Sequence, residues 1–191
     1  RETAEGTTRV LIDTSPDMRE QLLDAGVGSL DGVVYTHSHA DHMHGIDDLR
    51  QVVFLQRQRL PVWADAPTQE ALLSRFGYAF VQPEGSPYPP ILDLHTIDGP
   101  VTVPGAGGPV TLTPFRADHG SMDALGFRIG GLAYLPDAVD IPAATWPALQ
   151  GPHNAQNVAV ALAAVEALGL DKAHSRASLA TYSSLPHRME R

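Results

Sequence analysis

The chain has 191 residues, enough for about one domain. With 43% hydrophobic and 18% charged residues it has the makings of a packed core and is not a disordered chain. A formal net charge of −9 argues against gripping nucleic acid by bulk charge, and the lack of cysteine excludes disulfides, thiolate metal sites and a cysteine nucleophile. Residues 9–13 read as a buried strand ending in the carboxylate of Asp13. Cap-type residues Thr14, Ser15 and Asp17 flank Pro16, and Met18, Leu22 and Leu23 predict a short amphipathic helix stopping at Gly26. Residues 32–36 read as the next strand, and a helix is expected from Ile46 to about Arg59. Residues 61–64 predict a strand and 68–76 a helix.

From 77 to 109, seven prolines and three of the glycines argue that no helix persists. Short strands at 91–97 and 101–103 are the most this stretch supports. Strands follow at 110–115, 124–129 and 132–135. Helical then β-rich order implies an α/β layered domain. Beyond Gly151 the texture changes: residues 154–168 predict an Ala-rich amphipathic helix ended by Gly169, and a second short helix is expected at 175–182. No apolar run reaches the ~20 residues of a membrane span. No signal peptide is read, and a cytoplasmic location is expected.

Four of the nine histidines, His37, His39, His42 and His44, fall between a buried strand and a helix, with Asp41 among them. A solvated polar tract is the bland reading. Position argues against it, because the carboxyl end of a strand is where open α/β sheets place their sites. Imidazole and carboxylate are the ligands of zinc-like ions. His37 and His39 can point together from an extended segment, while Asp41 and His42 can begin the next helix and face a second ion.

The motif His37-x-His39-x-Asp41-His42, with Asp13 on the preceding strand, resembles the metallo-β-lactamase superfamily of metal-dependent hydrolases. Residues 10–17 and the run Gly45-Ile46-Asp47-Asp48-Leu49-Arg50 are similar to the branch of phosphoribosyl cyclic phosphate phosphodiesterases. The resemblance covers residues 1–142 and implies a truncated αββα sandwich. It implies that His37, His39 and His119 hold one metal, that Asp41 and His42 hold a second, and that Asp137 bridges them. Asp13 would orient the histidine loop from behind, and His44 is expected beside the site rather than on a metal. Asp41 would also shuttle a proton to the leaving group. The implied nucleophile is a hydroxide held between the metals, and the implied cofactor is zinc, one or two ions, with manganese an alternative. His95 is read as structural or exposed, and Asp47 and Asp48 as surface groups of a helix.

The resembling family usually begins with a strand pair and a glycine-rich segment, whereas about eight residues precede Val10 here. It also ends with a strand bearing one more ligating histidine, and no such element follows Asp137. Residues 143–191 instead resemble the Mur ligase family, in its alanine–glutamate ligase branch, through Gly151-Pro152-His153-Asn154-Ala155-Gln156-Asn157 and Leu185-Pro186-His187-Arg188. Asn154, Asn157 and Arg188 match its nucleotide contacts. No Gly-x-x-Gly-Lys-[Ser/Thr] segment occurs to cradle ATP phosphates, so ligase activity is not expected. The chain is read as a truncated hydrolase with a helical C-terminal appendage. Three expectations follow. Either water fills the last ligand position or His153 or His187 substitutes there, the chain forms a homodimer or a domain-swapped dimer to cover open sheet edges, and the substrate is a small phosphate-containing molecule hydrolysed with broad specificity. The competing expectation is a metal-binding relic without significant catalysis.

Overall fold

The structure, a computed structural model, describes residues 1–137. A two-strand hairpin, β1 (Glu2–Thr3) and β2 (Gly6–Thr7), opens the chain and leads into β3 (Val10–Ile12). Then come α1 (Met18–Asp24), β4 (Gly32–Val34), α2 (Ala40–Met43), a 3-10 turn at Ile46–Asp48, α3 (Leu49–Gln56), β5 (Leu60–Ala64) and α4 (Ala66–Phe80). The second half is β-rich: β6 (Leu92–Thr96), β7 (Val101–Val103), β8 (Val110–Asp118), β9 (Asp123–Ile129) and β10 (Leu132–Tyr134).

Two four-stranded sheets form. One is parallel, in the order β3-β4-β5-β6, and the other antiparallel, in the order β10-β9-β8-β7. Strand alternation assigns each face. Val33 joins a cluster with Met18, Leu49, Val52, Leu60 and Leu72, where α1, α3 and α4 cover the parallel sheet. Its neighbour Val34 points the other way, into a cluster with Ile97, Val103, Leu112, Leu125 and Phe127 between the sheets. The described residues therefore stack as helices, parallel sheet and antiparallel sheet, three layers of the expected α/β sandwich.

Three local expectations are corrected. The helix expected over 68–76 begins at Ala66 and runs to Phe80, so residues 77–80 are helical despite Gly77. Burial of Ala79 and Phe80 holds that last turn, and the breakers act only from Pro83 onward. Asp65 caps its start by accepting the Thr68 N–H at 3.1 Å. The helix expected from Ile46 to Arg59 splits into the 3-10 turn and α3, and stops where Arg57 turns left-handed at φ 56°. The segment before β3 is also not bare chain. Thr8 accepts the Gly107 N–H at 3.0 Å and donates to the Gly108 carbonyl at 2.8 Å, pinning the hairpin to the loop after β7. A Cβ on Gly107 would sit 2.4 Å from the Arg1 carbonyl oxygen, so that close approach requires glycine.

The expected helices at 154–168 and 175–182, and the boundary at 142/143, lie outside the described residues.

Candidate metal centre

The site gathers at the carboxyl ends of β3 and β4 and at the turn between β8 and β9. Asp13 ends β3 in the left-handed region at φ 62°, a conformation Asp tolerates better than most residues. Its N–H still reaches the Val34 carbonyl at 2.9 Å, and its buried carboxylate faces the end of β4. Oδ1 accepts the Thr36 N–H at 2.8 Å, and Oδ2 accepts the Thr36 hydroxyl at 2.7 Å and His42 Nδ1–H at 2.8 Å.

This network fixes two tautomers. The Thr36 hydroxyl proton goes to Asp13, so its oxygen accepts His37 Nδ1–H at 3.0 Å. The Nε2 atoms of both His37 and His42 are left with lone pairs. His37 is buried, and burial first, then the neighbouring His42 and His39, push its pKa down to about 4. It is neutral at pH 7, as a ligand must be. His42 is shifted the other way, chiefly by its hydrogen bond to Asp13.

The loop is held from both sides. Thr14 donates its N–H to the His42 carbonyl at 2.8 Å and accepts the Gly45 N–H at 2.9 Å. Tyr35 donates to the Thr14 hydroxyl at 2.8 Å, which donates to the Met43 carbonyl at 3.2 Å. From α4, Arg75 donates to the Ser38 carbonyl at 2.7 Å. His119 arrives on a tight turn in which its N–H reaches the Met122 carbonyl at 2.9 Å and Gly120, at φ 76°, donates to Asp118 at 2.8 Å.

The donor atoms converge. His39 Nδ1 lies 3.0 Å from His37 Nε2 and 3.1 Å from His119 Nε2. One proton cannot bridge all three nitrogens, so lone pairs face one another unless a cation sits among them. Ligands about 2.0–2.1 Å from a tetrahedral ion stand roughly 3.3–3.4 Å apart, close to this spacing. His119 Nδ1 is buried without a hydrogen-bond partner among the described residues, which leaves Nε2 as its directed atom. Asp137 Oδ2 lies 3.0 Å from His42 Nε2, 3.4 Å from His37 Nε2 and 3.9 Å from His119 Nε2. His37, His39, His119 and Asp137 each offer one atom within 4.8 Å of the others, a set that fits a divalent ion. Asp41, 77% exposed, lies 3.5 Å from His42 Nε2.

The remaining sequence candidates divide. His44 is exposed, its ring edge-on to Phe76 at 5.7 Å. His95 stacks on Trp63 at 5.1 Å, at an exposed position. Asp47 accepts the Tyr78 hydroxyl at 2.7 Å, and Asp48 stands just before α3 without a side-chain bond to its first turn. His153 and His187 lie outside the described residues, as do Asn154, Asn157 and Arg188. Sequence reasoning missed Thr36 and Arg75. The signal for Thr36 was a polar residue between buried Tyr35 and His37. Arg75 had none, because it meets Ser38 only through the packing of α4. A pocket of about 280 Å³ beside His37 is lined by Ser38, Pro67, Thr68, Arg116, Met122 and Asp123.

The beta-lactamase superfamily domain model matches residues 8–174, most of the chain. The chain belongs to the beta-lactamase superfamily. Superfamily membership explains the two-sheet sandwich and implies divalent metal ions at the His/Asp cluster. A solved structure described as a new diphosphatase from the PhnP family is 35% identical with a TM-score of 0.58, covering 71% of this chain and 50% of that one. Octanoyltransferase of Porphyromonas gingivalis is 40% identical over 139 residues, covering 71% of this chain and 26% of that protein. UDP-N-acetylmuramoylalanine–D-glutamate ligase of Sphingopyxis alaskensis is 57% identical over 54 residues, 28% of this chain and 12% of the ligase. This superfamily chain thus spans half of the diphosphatase and a smaller part of each of the other two proteins. Among the described residues no helix is long and apolar enough to cross a membrane.

Proposed function

We propose that the chain is a metal-dependent hydrolase of phosphodiester or related phosphate bonds, with broad tolerance for other activated esters and amides. The observation that carries this reading is the position of Asp137 Oδ2, within 3.0–3.9 Å of ring nitrogens from His42, His37 and His119. A carboxylate there can serve two cation positions at once. His37, His39 and His119 would hold one ion, Asp41 and His42 the other, and Asp137 both. The ions are zinc, with manganese an alternative. When bound, they supply an acidified water and a positive clamp on the attacked oxygen.

The chain's own groups do the rest. Asp13 and Thr36 keep the His37 and His42 rings in the tautomer that presents Nε2. Asp41, exposed at the mouth, can hand a proton to a leaving oxygen. Similarity to the PhnP-family diphosphatase supports a phosphate-containing substrate.

The test is turnover of bis-aryl phosphate, aryl ester and peptide substrates by the zinc- or manganese-loaded chain, with His37→Ala and Asp41→Ala as controls. Phosphate turnover that falls about a hundredfold or more in both variants supports the reading. Activity surviving both substitutions overturns it. Tightly bound metal without turnover would favour a metal-binding role instead.

The same reading includes two architectural proposals. Residues 1–142 form the metal-binding domain, and 143–191 a ligase-derived segment without ATP-dependent ligase activity. The chain pairs as a homodimer or a domain-swapped dimer, with His153 or His187 completing the second position. Light scattering that shows only monomer at high concentration would overturn the dimer. Unchanged metal content in His153→Ala and His187→Ala would overturn the substitution of ligands.

A further inference from the structure

A second recess lies away from the histidine cluster, between α3, α4 and the proline-rich segment that follows. It has a volume of about 380 Å³ and is walled by Arg50, Phe54, Tyr78, Pro83, Tyr88 and Pro89. That size falls within the roughly 300–1,000 Å³ of small-molecule sites. None of its residues is used by the metal centre.

Three of its walls are aromatic rings left unusually open: Phe54 is 58% exposed, Tyr78 41% and Tyr88 69%. Arg50 and Phe54 are four residues apart on α3 and share one face of that helix. The Tyr78 hydroxyl is turned out of play, because it donates to both carboxylate oxygens of Asp47 at 2.7 Å. Its ring remains as a wall. Asp47 lies one helical turn before Arg50, yet Arg50 makes no ion pair among the described residues. Arg50 is thus a half-buried guanidinium beside aromatic rings, with no carboxylate within ion-pair distance among the described residues.

The far wall is built rather than loose. Ser86 donates its N–H to the Pro83 carbonyl at 3.0 Å, Gln82 reaches the Ser86 carbonyl at 2.6 Å, and the Tyr88 N–H reaches the Ser86 hydroxyl at 3.2 Å. Prolines on both sides restrict the backbone further, so Tyr88 is held against the recess at little entropic cost on binding.

We infer that this recess binds a small aromatic anion, its ring between Phe54, Tyr78 and Tyr88 and its phosphate, phosphonate or carboxylate group on Arg50. An isolated apolar ligand would leave the guanidinium uncompensated, and an isolated inorganic anion would leave the rings wet. Only a molecule with both parts satisfies both. The site is independent of the hydrolase reading, because it uses no residue of the metal centre.

Benzylphosphonate is a suitable probe, followed by saturation-transfer NMR and calorimetry on the full chain. It should bind once at this site. Arg50→Ala and Phe54→Ala should each weaken it about tenfold or more, and Arg50→Lys less. Benzyl alcohol, without the anion, and methylphosphonate, without the ring, should each bind about tenfold or more weakly than the parent. His39→Ala should leave the affinity unchanged. The inference is overturned by no binding to the wild-type chain, by equal binding to Arg50→Ala, or by a loss seen only in His39→Ala, which would put the probe at the histidines. Benzyl alcohol binding as tightly as the phosphonate would also overturn it, and would assign the recess to an apolar side chain.

Discussion

Asp13 Oδ2 stands 2.8 Å from His42 Nδ1 and, through the Thr36 hydroxyl that it also accepts, governs the ring of His37. One buried carboxylate thereby sets the proton position of two histidines whose ring centres lie 4.2 Å apart. Asp13→Asn keeps the size and tolerates the left-handed backbone. Its amide would face the His42 and Thr36 protons with a donor. Metal affinity should fall about 10–100-fold, the range for lost partners of metal-bound histidine. Competition with a chromogenic chelator measures it, and affinity within twofold of wild type would remove Asp13 from the argument.

Thr36 is the relay in this network, and Thr36→Val removes its hydroxyl while nearly keeping its shape. The variant leaves His37 Nδ1–H without a partner in a buried place and takes one of two donors from Asp13 Oδ2. We expect a loss of about 1–3 kcal/mol in stability together with weaker metal binding. Thr36→Ser should restore most of both. Denaturant titration and chelator competition on the same samples check this; a stability loss without any change in metal affinity would show that Thr36 serves the fold alone.

Gly45 joins the histidine loop to the turn after β3. A Cβ there would stand 2.1 Å from the Ser15 carbonyl oxygen, which belongs to backbone and cannot swing aside. Gly45→Ala should therefore cost about 1–3 kcal/mol, as overpacking does. It should also loosen the Gly45 N–H to Thr14 carbonyl bond of 2.9 Å. Urea unfolding gives the first number and amide exchange at Gly45 the second; wild-type values for both would refute the packing account.

Tyr78 supplies a pH prediction. Burial first, then its hydrogen bond to Asp47 and that residue's negative charge, push its pKa from 10.0 up to about 12. The folded chain keeps this proton where the unfolded chain releases it. The stabilising contribution is fully present below pH 10 and is lost as pH rises from 10 to about 12. Tyr78→Phe has nothing to lose there. The stability gap between wild type and Tyr78→Phe should narrow across that window, by thermal unfolding at stepped pH, and a constant gap would contradict the shift.

Much of the layered fold could be read from the residues, because strand alternation and helical spacing report burial directly. The strands from β3 onward fall where apolar runs meet turn residues. The reading failed where tertiary burial beat local propensity, as at Ala79 and Phe80, which keep α4 helical past Gly77. It also failed at Arg57, whose left-handed turn ends α3 early without a glycine to announce it. In the site, His37, His39, Asp41 and His42 were visible because they sit together in sequence. His119 and Asp137 required the resemblance, since nothing local distinguishes them from residues of an ordinary turn. Thr36 needed coordinates: its two hydrogen bonds depend on where Asp13 lands across the strand pair. Arg75 needed them still more, since its contact depends on how a whole helix docks.

His39 and His119 touch across 80 residues of chain. The first belongs to the parallel, helix-backed half and the second to the antiparallel half. During synthesis the first donors emerge well before the last, and the set is incomplete until the two sheets have docked face to face. A complete ligand set for an ion would therefore exist only in the finished sandwich. Once captured, an ion would act as a rivet between the halves, so that hydrogen exchange in β8 and β9 should slow most on loading.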